Sequence, residues 1–119
     1  MQTTVFATFR VSGMHYWPGA LAPYEYLGNL HRHVFHVKVT VFVDRDRQVE
    51  FIELGMRAED EFKSIGGGEN TVTLEHIHFG GRSCEMLAKE LWERLLRCGY
   101  RVKQIEVSED GENGAVVEL

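Results

Sequence analysis

The chain has 119 residues, 44% of them hydrophobic, and its 13 Lys and Arg against 18 Asp and Glu give a formal charge of −5. This length predicts one domain over residues 1–119 with a substantial core, which excludes disordered and fibrous classes. The acidic balance argues against a nucleic-acid partner. Without a long apolar run or a signal-peptide pattern, we expect a cytoplasmic protein with no membrane partner.

Alternating apolar residues predict a first strand over 4–11. Residues 12–30 contain both prolines and a cluster of aromatic side chains, which indicates a long, structured loop. The clearest strand is 31–43, where every second residue from Phe35 onward is apolar. These residues predict the buried face of a sheet.

The middle of the chain predicts a strand, a short helix and a segment that fits two structures. After a polar turn, residues 48–54 predict a further strand, and a short helix follows near 56–65. Three glycines at 66–68 are expected to end that helix. Residues 71–79 fit a strand or an extended loop equally well.

The last third begins with a strongly amphipathic helix over 83–98, for which Ser83 is a natural N-cap and Gly99 the end. Residues 101–109 alternate again, and a glycine-containing turn leads to a final strand at 115–119. The order of elements predicts an antiparallel α+β domain with its helices on one face of the sheet.

Three histidines form a candidate metal site. His31 and His33 are two apart on a predicted strand, so they share the face that continues into the core. His15, in the loop after the first strand, would be brought alongside them by antiparallel pairing. Three imidazoles with one open position suit a catalytic zinc ion. The alternative is a polar strand end without metal, and His36 is expected to be exposed on the opposite face.

The residues that carry these features resemble a known family. His15, the sequence His31-Arg32-His33, the helix opening at Ser83 and the strand-ending Glu109 occur in the order seen in 6-pyruvoyl-tetrahydropterin synthases. The 6-carboxy-tetrahydropterin synthases of queuosine biosynthesis share this order, and the resemblance covers about residues 6–115.

The resemblance implies the tunnelling fold, which is a four-stranded antiparallel sheet with two helices on one face. In this family the subunits form an oligomeric barrel with active sites at subunit interfaces. The resemblance therefore implies a homo-oligomer, trimer-based and possibly hexameric.

The resemblance also assigns roles to individual residues. It implies that zinc is bound by His15, His31 and His33, and that Glu109 anchors a pterin ring. It further implies that the residues opening the long helix lie beside the pterin; here these are Ser83, Cys84 and Glu85.

The strand pattern independently supports the role of Glu109. Its same-face neighbours Ile105 and Val107 are apolar, so a carboxylate ends a buried face and needs a partner. The 2-amino and N3–H edge of a pterin or guanine offers two parallel donors to such a carboxylate. The alternative is a solvated Glu at the end of the strand.

The sequence departs from the family at the catalytic groups. The family's cysteine before the histidine pair is missing, since residues 16–30 contain none, and Glu25 is the candidate acid/base in its place. Tyr24 and Tyr26 are other conceivable proton donors. The family's Asp-His dyad is matched by Glu75 and His76.

Two further assignments remain open at this stage. His78 is a rival to His76 as the catalytic histidine. Cys84 could be a thiol activated at a helix N-terminus, or it could simply pack as the first apolar residue of the helix.

Three functions are consistent with the sequence. The first is a zinc-dependent lyase of the pterin synthase type acting on dihydroneopterin triphosphate or a near relative. The second is a protein that binds zinc and a pterin or deazaguanine without this catalysis, which the missing cysteine favours. The third is a zinc-stabilised structural domain, which would leave Glu109 without a ligand.

Overall fold

The computed structural model describes residues 1–66 and 76–119. Within them, a five-stranded sheet carries two helices and a single 3₁₀ turn at Glu25–Gly28. The strands are β1 (Thr3–His15), β2 (His31–Val43), β3 (Ile77–His78), β4 (Val102–Glu109) and β5 (Asn113–Glu118), and the helices are α1 (Phe51–Ser64) and α2 (Cys84–Arg97). The order of strands across the sheet is β3-β1-β2-β4-β5.

The sheet is mixed, so the prediction of four antiparallel strands is wrong in number and direction. Strands β1, β2, β4 and β5 are antiparallel neighbours, but β3 adds a fifth strand parallel to β1. That pairing joins only Gly13 to Ile77 and Met14 to His78. Two residues are too few to show an alternating pattern in the sequence.

The core lies between one face of the sheet and both helices. Strand β2 has the bounds predicted from the sequence, and Phe35, Val37, Val39 and Val41 of this strand are buried. The prediction of α2 is confirmed to within a residue at either end, with the Ser83 hydroxyl accepting a hydrogen bond from the Met86 N–H at 3.2 Å. No helix in the described part of the chain could cross a membrane.

Helix α1 replaces the strand predicted over 48–54, which is wrong. The carboxylate of Glu50 accepts a hydrogen bond from the Glu53 N–H at 2.6 Å and caps a helix that begins at Phe51. Leu54, Ala58 and Phe62, four residues apart, form the buried stripe. The helix ends at Ser64; of the glycines expected to end it, those at 67 and 68 lie outside the described residues.

Gly13 allows two aromatic rings to approach β1 beneath the histidines. A Cβ at this position would lie 2.5 Å from Phe79 Cε2 and 3.0 Å from Phe35 Cε2, and both rings are fully buried. We expect Gly13→Ala to lower the free energy of unfolding by about 1–3 kcal/mol, because the rings must move to admit the methyl group. Denaturant titration measures this change.

Gly55 provides the matched control for that variant. Gly55 lies in helix α1, and a Cβ there would meet Ala7 Cβ of β1 at 3.6 Å, which is an ordinary van der Waals contact. Gly55→Ala is expected to stabilise the protein by about 0.5–1 kcal/mol, because alanine suits a helix better than glycine. Equal stability changes in the two variants would contradict the close packing at Gly13.

Candidate metal centre and adjoining cavity

The ladder between β1 and β2 brings three histidines to one end of the sheet. His15 lies opposite His31, and Gly13 lies opposite His33. Strand β1 thus continues to His15, which the sequence had placed in the following loop. The ring centroids are 4.6 Å apart for His15 and His31, 5.4 Å for His15 and His33, and 5.0 Å for His31 and His33.

Glu109 joins the three imidazoles from the end of β4. Its Oε2 lies 3.0 Å from His15 Nε2 and 2.6 Å from His33 Nε2. One potential ligand atom from each of His15, His31, His33 and Glu109 lies within 4.8 Å of the others. These four side chains are called the donor cluster below.

Each histidine of the donor cluster uses its other ring nitrogen to bond an acceptor. His15 Nδ1 lies 2.9 Å from the Arg82 carbonyl oxygen, and His31 Nδ1 lies 2.8 Å from the Asn29 carbonyl oxygen. A carbonyl oxygen can only accept, so both Nδ1 atoms carry the proton. Nε2 therefore holds the lone pair of the neutral ring in both cases. Metal-binding histidines are oriented in the same way.

This donor set fits a metal ion. With Nδ1 donating outward, a neutral His15 ring turns an Nε2 lone pair toward Glu109 Oε2, which is also an acceptor. Two acceptor atoms repel each other at this distance unless a positive charge lies between them. That charge is either a second proton on the His15 ring or a metal ion bound by both atoms. Three imidazoles and a carboxylate are nitrogen and oxygen ligands that suit zinc.

Asp110 supports the cluster, and the sequence analysis did not identify it. Its Oδ2 lies 2.7 Å from His33 Nδ1, and its Oδ1 accepts a hydrogen bond from the Val34 N–H at 2.9 Å. The Val34 N–H and then the His33 ring hold the pKa of Asp110 below its ordinary value. The Asp110-Gly111 turn directly after Glu109 is the sequence signal that could have indicated it.

A cavity of about 630 Å³ opens beside the donor cluster. The start of α2 forms part of its wall, so Ser83, Cys84 and Glu85 lie there together with Glu109. The other lining residues are His15, Tyr16, Trp17, Pro18, Leu27, His31, Gly81, Arg82, Met86, Asn113 and Gly114. The volume is within the range typical of small-molecule sites.

Arg82 contributes to both the cluster and the cavity, a role that the sequence analysis did not foresee. Its carbonyl oxygen orients His15. Its guanidinium donates from Nε to Glu90 at 2.6 Å and from Nη1 to the Phe79 carbonyl oxygen at 3.1 Å. These bonds fix the arginine at the cavity wall.

Cys84 packs as an apolar residue of α2. Burial raises the pKa of its thiol to about 12, and the carboxylates of Glu109 and Glu85 act in the same direction. Of the two sequence interpretations, the structure favours packing over an activated thiol.

The proposed acid/base residues Glu25 and His76 are not members of the donor cluster. Glu25 is exposed on the 3₁₀ turn and is not one of the described cavity residues. That turn is linked to the cavity by the hydrogen bond from the Trp17 N–H to the Leu27 carbonyl oxygen, at 2.8 Å. His76 is half-buried one residue before β3, which contains His78, and Glu75 lies outside the described residues.

Comparisons with known proteins support the fold. No protein-family model matches the sequence, and a search of curated proteins gives no match. The structure is similar to that of an uncharacterised protein from Wolinella succinogenes, with a TM-score of 0.68 and 18% identity over 99% of this chain and 98% of that one. It is also similar to 6-pyruvoyl tetrahydropterin synthase from Caenorhabditis elegans, with a TM-score of 0.61 and 14% identity over 100% and 96% of the two chains. At these identities, the similarity shows the fold alone.

Proposed function

We propose that the protein is a zinc-dependent lyase of the pterin synthase type that acts on dihydroneopterin triphosphate or a related pterin. The observation that carries this proposal is the donor cluster, whose members His15, His31 and Glu109 also line a cavity of about 630 Å³. The same fold in a 6-pyruvoyl tetrahydropterin synthase supports it.

His15, His31 and His33 would hold the zinc ion through their Nε2 atoms. Zinc bound there would polarise an oxygen of the substrate side chain. Glu109 lies both in the cluster and on the cavity wall. Its carboxylate would accept the 2-amino and N3–H donors of the pterin ring, and the ring would rest against the start of α2 at Ser83–Glu85.

Proton transfer is assigned by the resemblance to Glu25 and to the pair Glu75 and His76. Neither Glu25 nor His76 is a member of the donor cluster, and in the family that the sequence resembles the active site is shared between subunits. We therefore propose a homo-oligomer, trimer-based and possibly hexameric.

The strand edges support this assembly. Over the part of the chain described, β1 pairs on its outer side only at Gly13 and Met14, and β5 pairs only with β4. Unpaired edges favour pairing with another chain. We expect light scattering to give the mass of a trimer or a multiple of it, and a monomeric mass would contradict the assembly.

Incubation of the zinc-loaded protein with dihydroneopterin triphosphate tests the activity. Mass spectrometry distinguishes carboxy-, pyruvoyl- and hydroxymethyl-pterin products from one another and from the substrate. The proposal is supported if any of these products forms with the zinc-loaded protein and not with the zinc-free protein. Absence of product together with tight pterin binding would replace it with the second candidate below.

The second candidate is a protein that binds zinc and a pterin or deazaguanine without this catalysis. The lack of a catalytic cysteine favours this candidate. Residues 16–30 contain no cysteine, and burial raises the pKa of the Cys84 thiol to about 12, so Cys84 does not replace the family's catalytic cysteine.

A further inference from the structure

We propose that Asp110 is a positioning residue that fixes the His33 ring with its proton on Nδ1 and its Nε2 lone pair directed into the donor cluster. This inference rests on the proposed metal site. It assigns a role to a residue outside the set of ligands.

Three hydrogen bonds fix Asp110 against β2. Its N–H donates to the Val34 carbonyl oxygen at 2.8 Å, and its Oδ1 accepts from the Val34 N–H at 2.9 Å. Its Oδ2 is therefore held 2.7 Å from His33 Nδ1. A carboxylate oxygen is only an acceptor, so His33 Nδ1 must donate.

The hairpin turn that contains Asp110 explains why this carboxylate can be held so firmly. Asp110 and Gly111 have φ values of 57° and 73°, and the Glu112 N–H donates to the Glu109 carbonyl oxygen at 3.0 Å. Aspartate, asparagine and glycine tolerate this backbone conformation. The turn thus places Glu109 at one nitrogen of His33, with Oε2 2.6 Å from Nε2, and Asp110 at the other.

Asp110 differs from the groups that orient the other two imidazoles. His15 and His31 bond to main-chain carbonyls, which a substitution does not remove. Asp110 uses a side chain, which a substitution replaces. It is therefore the orienting group that can be tested by substitution.

Asp110→Asn separates the orienting role from the backbone role. Asparagine offers one side-chain acceptor, whereas the site presents two donors, the Val34 N–H and His33 Nδ1–H. If the amide oxygen faces Val34, the amide NH₂ faces His33 Nδ1, which must then be an acceptor. The ring proton moves to Nε2 and blocks metal binding there. If the amide oxygen faces His33, the NH₂ opposes the Val34 N–H. The first arrangement selects the wrong tautomer, and the second keeps the proton on Nδ1 only by losing the hydrogen bond from the Val34 N–H.

The experiment measures zinc affinity by chelator competition for wild type, Asp110→Asn and Asp110→Gly. Affinity is expected to fall about 10–100-fold in both variants, which is the usual effect of losing an outer-shell partner. Asp46→Asn, which removes the same charge from an exposed turn, should bind as wild type. In ring ¹⁵N spectra of the zinc-loaded variants, the chemical shifts of His33 alone should differ from wild type. A general loosening of the turn would not produce a change confined to His33.

The outcomes separate this inference from the proposed function. Zinc affinity within twofold of wild type in both Asp110 variants, with the His33 ring signals unchanged, would overturn the role of Asp110 and leave the metal site standing. Absence of zinc binding in wild type would overturn the proposed function. In that case the ring spectra of the metal-free proteins decide the inference. The same His33 tautomer in wild type and in Asp110→Asn would overturn it.

Discussion

Replacing His33 with alanine is expected to abolish stoichiometric zinc binding. The wild type should hold one zinc ion per chain, with zinc–nitrogen distances of about 2.0–2.1 Å in an X-ray absorption spectrum. The substitution removes one of the three imidazoles. It also removes His33 Nε2, which lies 2.6 Å from Glu109 Oε2. The loss of affinity should exceed the roughly 10–100-fold that follows from losing an outer-shell partner.

His36 provides the control on the same strand. It is half-buried on the opposite face of β2 from His33 and contributes nothing to the donor cluster. His36→Ala should keep one zinc ion per chain in metal analysis. One equivalent of zinc in His33→Ala would show that the ligand set is wrong, and loss of zinc in His36→Ala would show that the effect is not specific to the site.

The grouping of the three histidines could be predicted from the sequence because it depends on strand geometry. Alternation alone placed His31 and His33 on one face, and antiparallel pairing brought His15 to them, as the register of β1 and β2 confirms. Alternation does not identify the partners on the other nitrogens of His15 and His33, although the Asp110-Gly111 turn directly after Glu109 is a sequence signal for one of them. Asp110 and the carbonyl of Arg82 reach the rings from segments 77 and 67 residues away. Neither alternation nor helical periodicity shows which ring such a distant group contacts.

The errors in the fold prediction also have physical causes. Phe51 and Ile52 look like part of an alternating strand, yet both are more than half exposed in the first turn of α1. The buried residues with helical spacing, which identify the segment as a helix, begin only at Leu54. Strand β3 is defined by its pairing with Gly13 and Met14 and not by a pattern of its own. Such pairing becomes visible only when the sheet has formed.

Glu109→Gln and Glu25→Gln are expected to impair the protein in different ways. Glutamine at position 109 turns one acceptor oxygen into a donor that faces the ring's own N–H groups. An unpaired buried donor costs about 1–3 kcal/mol, so pterin affinity should fall at least about tenfold. Because Glu109 Oε2 also faces His15 and His33, titrations at saturating zinc, with metal content measured, separate ring recognition from loss of metal.

Glu25→Gln is expected to affect turnover and leave pterin affinity nearly unchanged. Glu25 is exposed on the 3₁₀ turn and is not among the described cavity residues, so a pterin ring bound as proposed would not be held by it in the same chain. If it moves a proton on the substrate side chain, its removal should lower kcat by roughly 10²–10⁴, the usual contribution of a positioned acid or base. Titration of both variants with a pterin, combined with kcat measurements, gives the comparison. Full activity in Glu25→Gln would reject its proton-transfer role, and equal losses of affinity in the two variants would show that ring recognition does not belong to Glu109 alone.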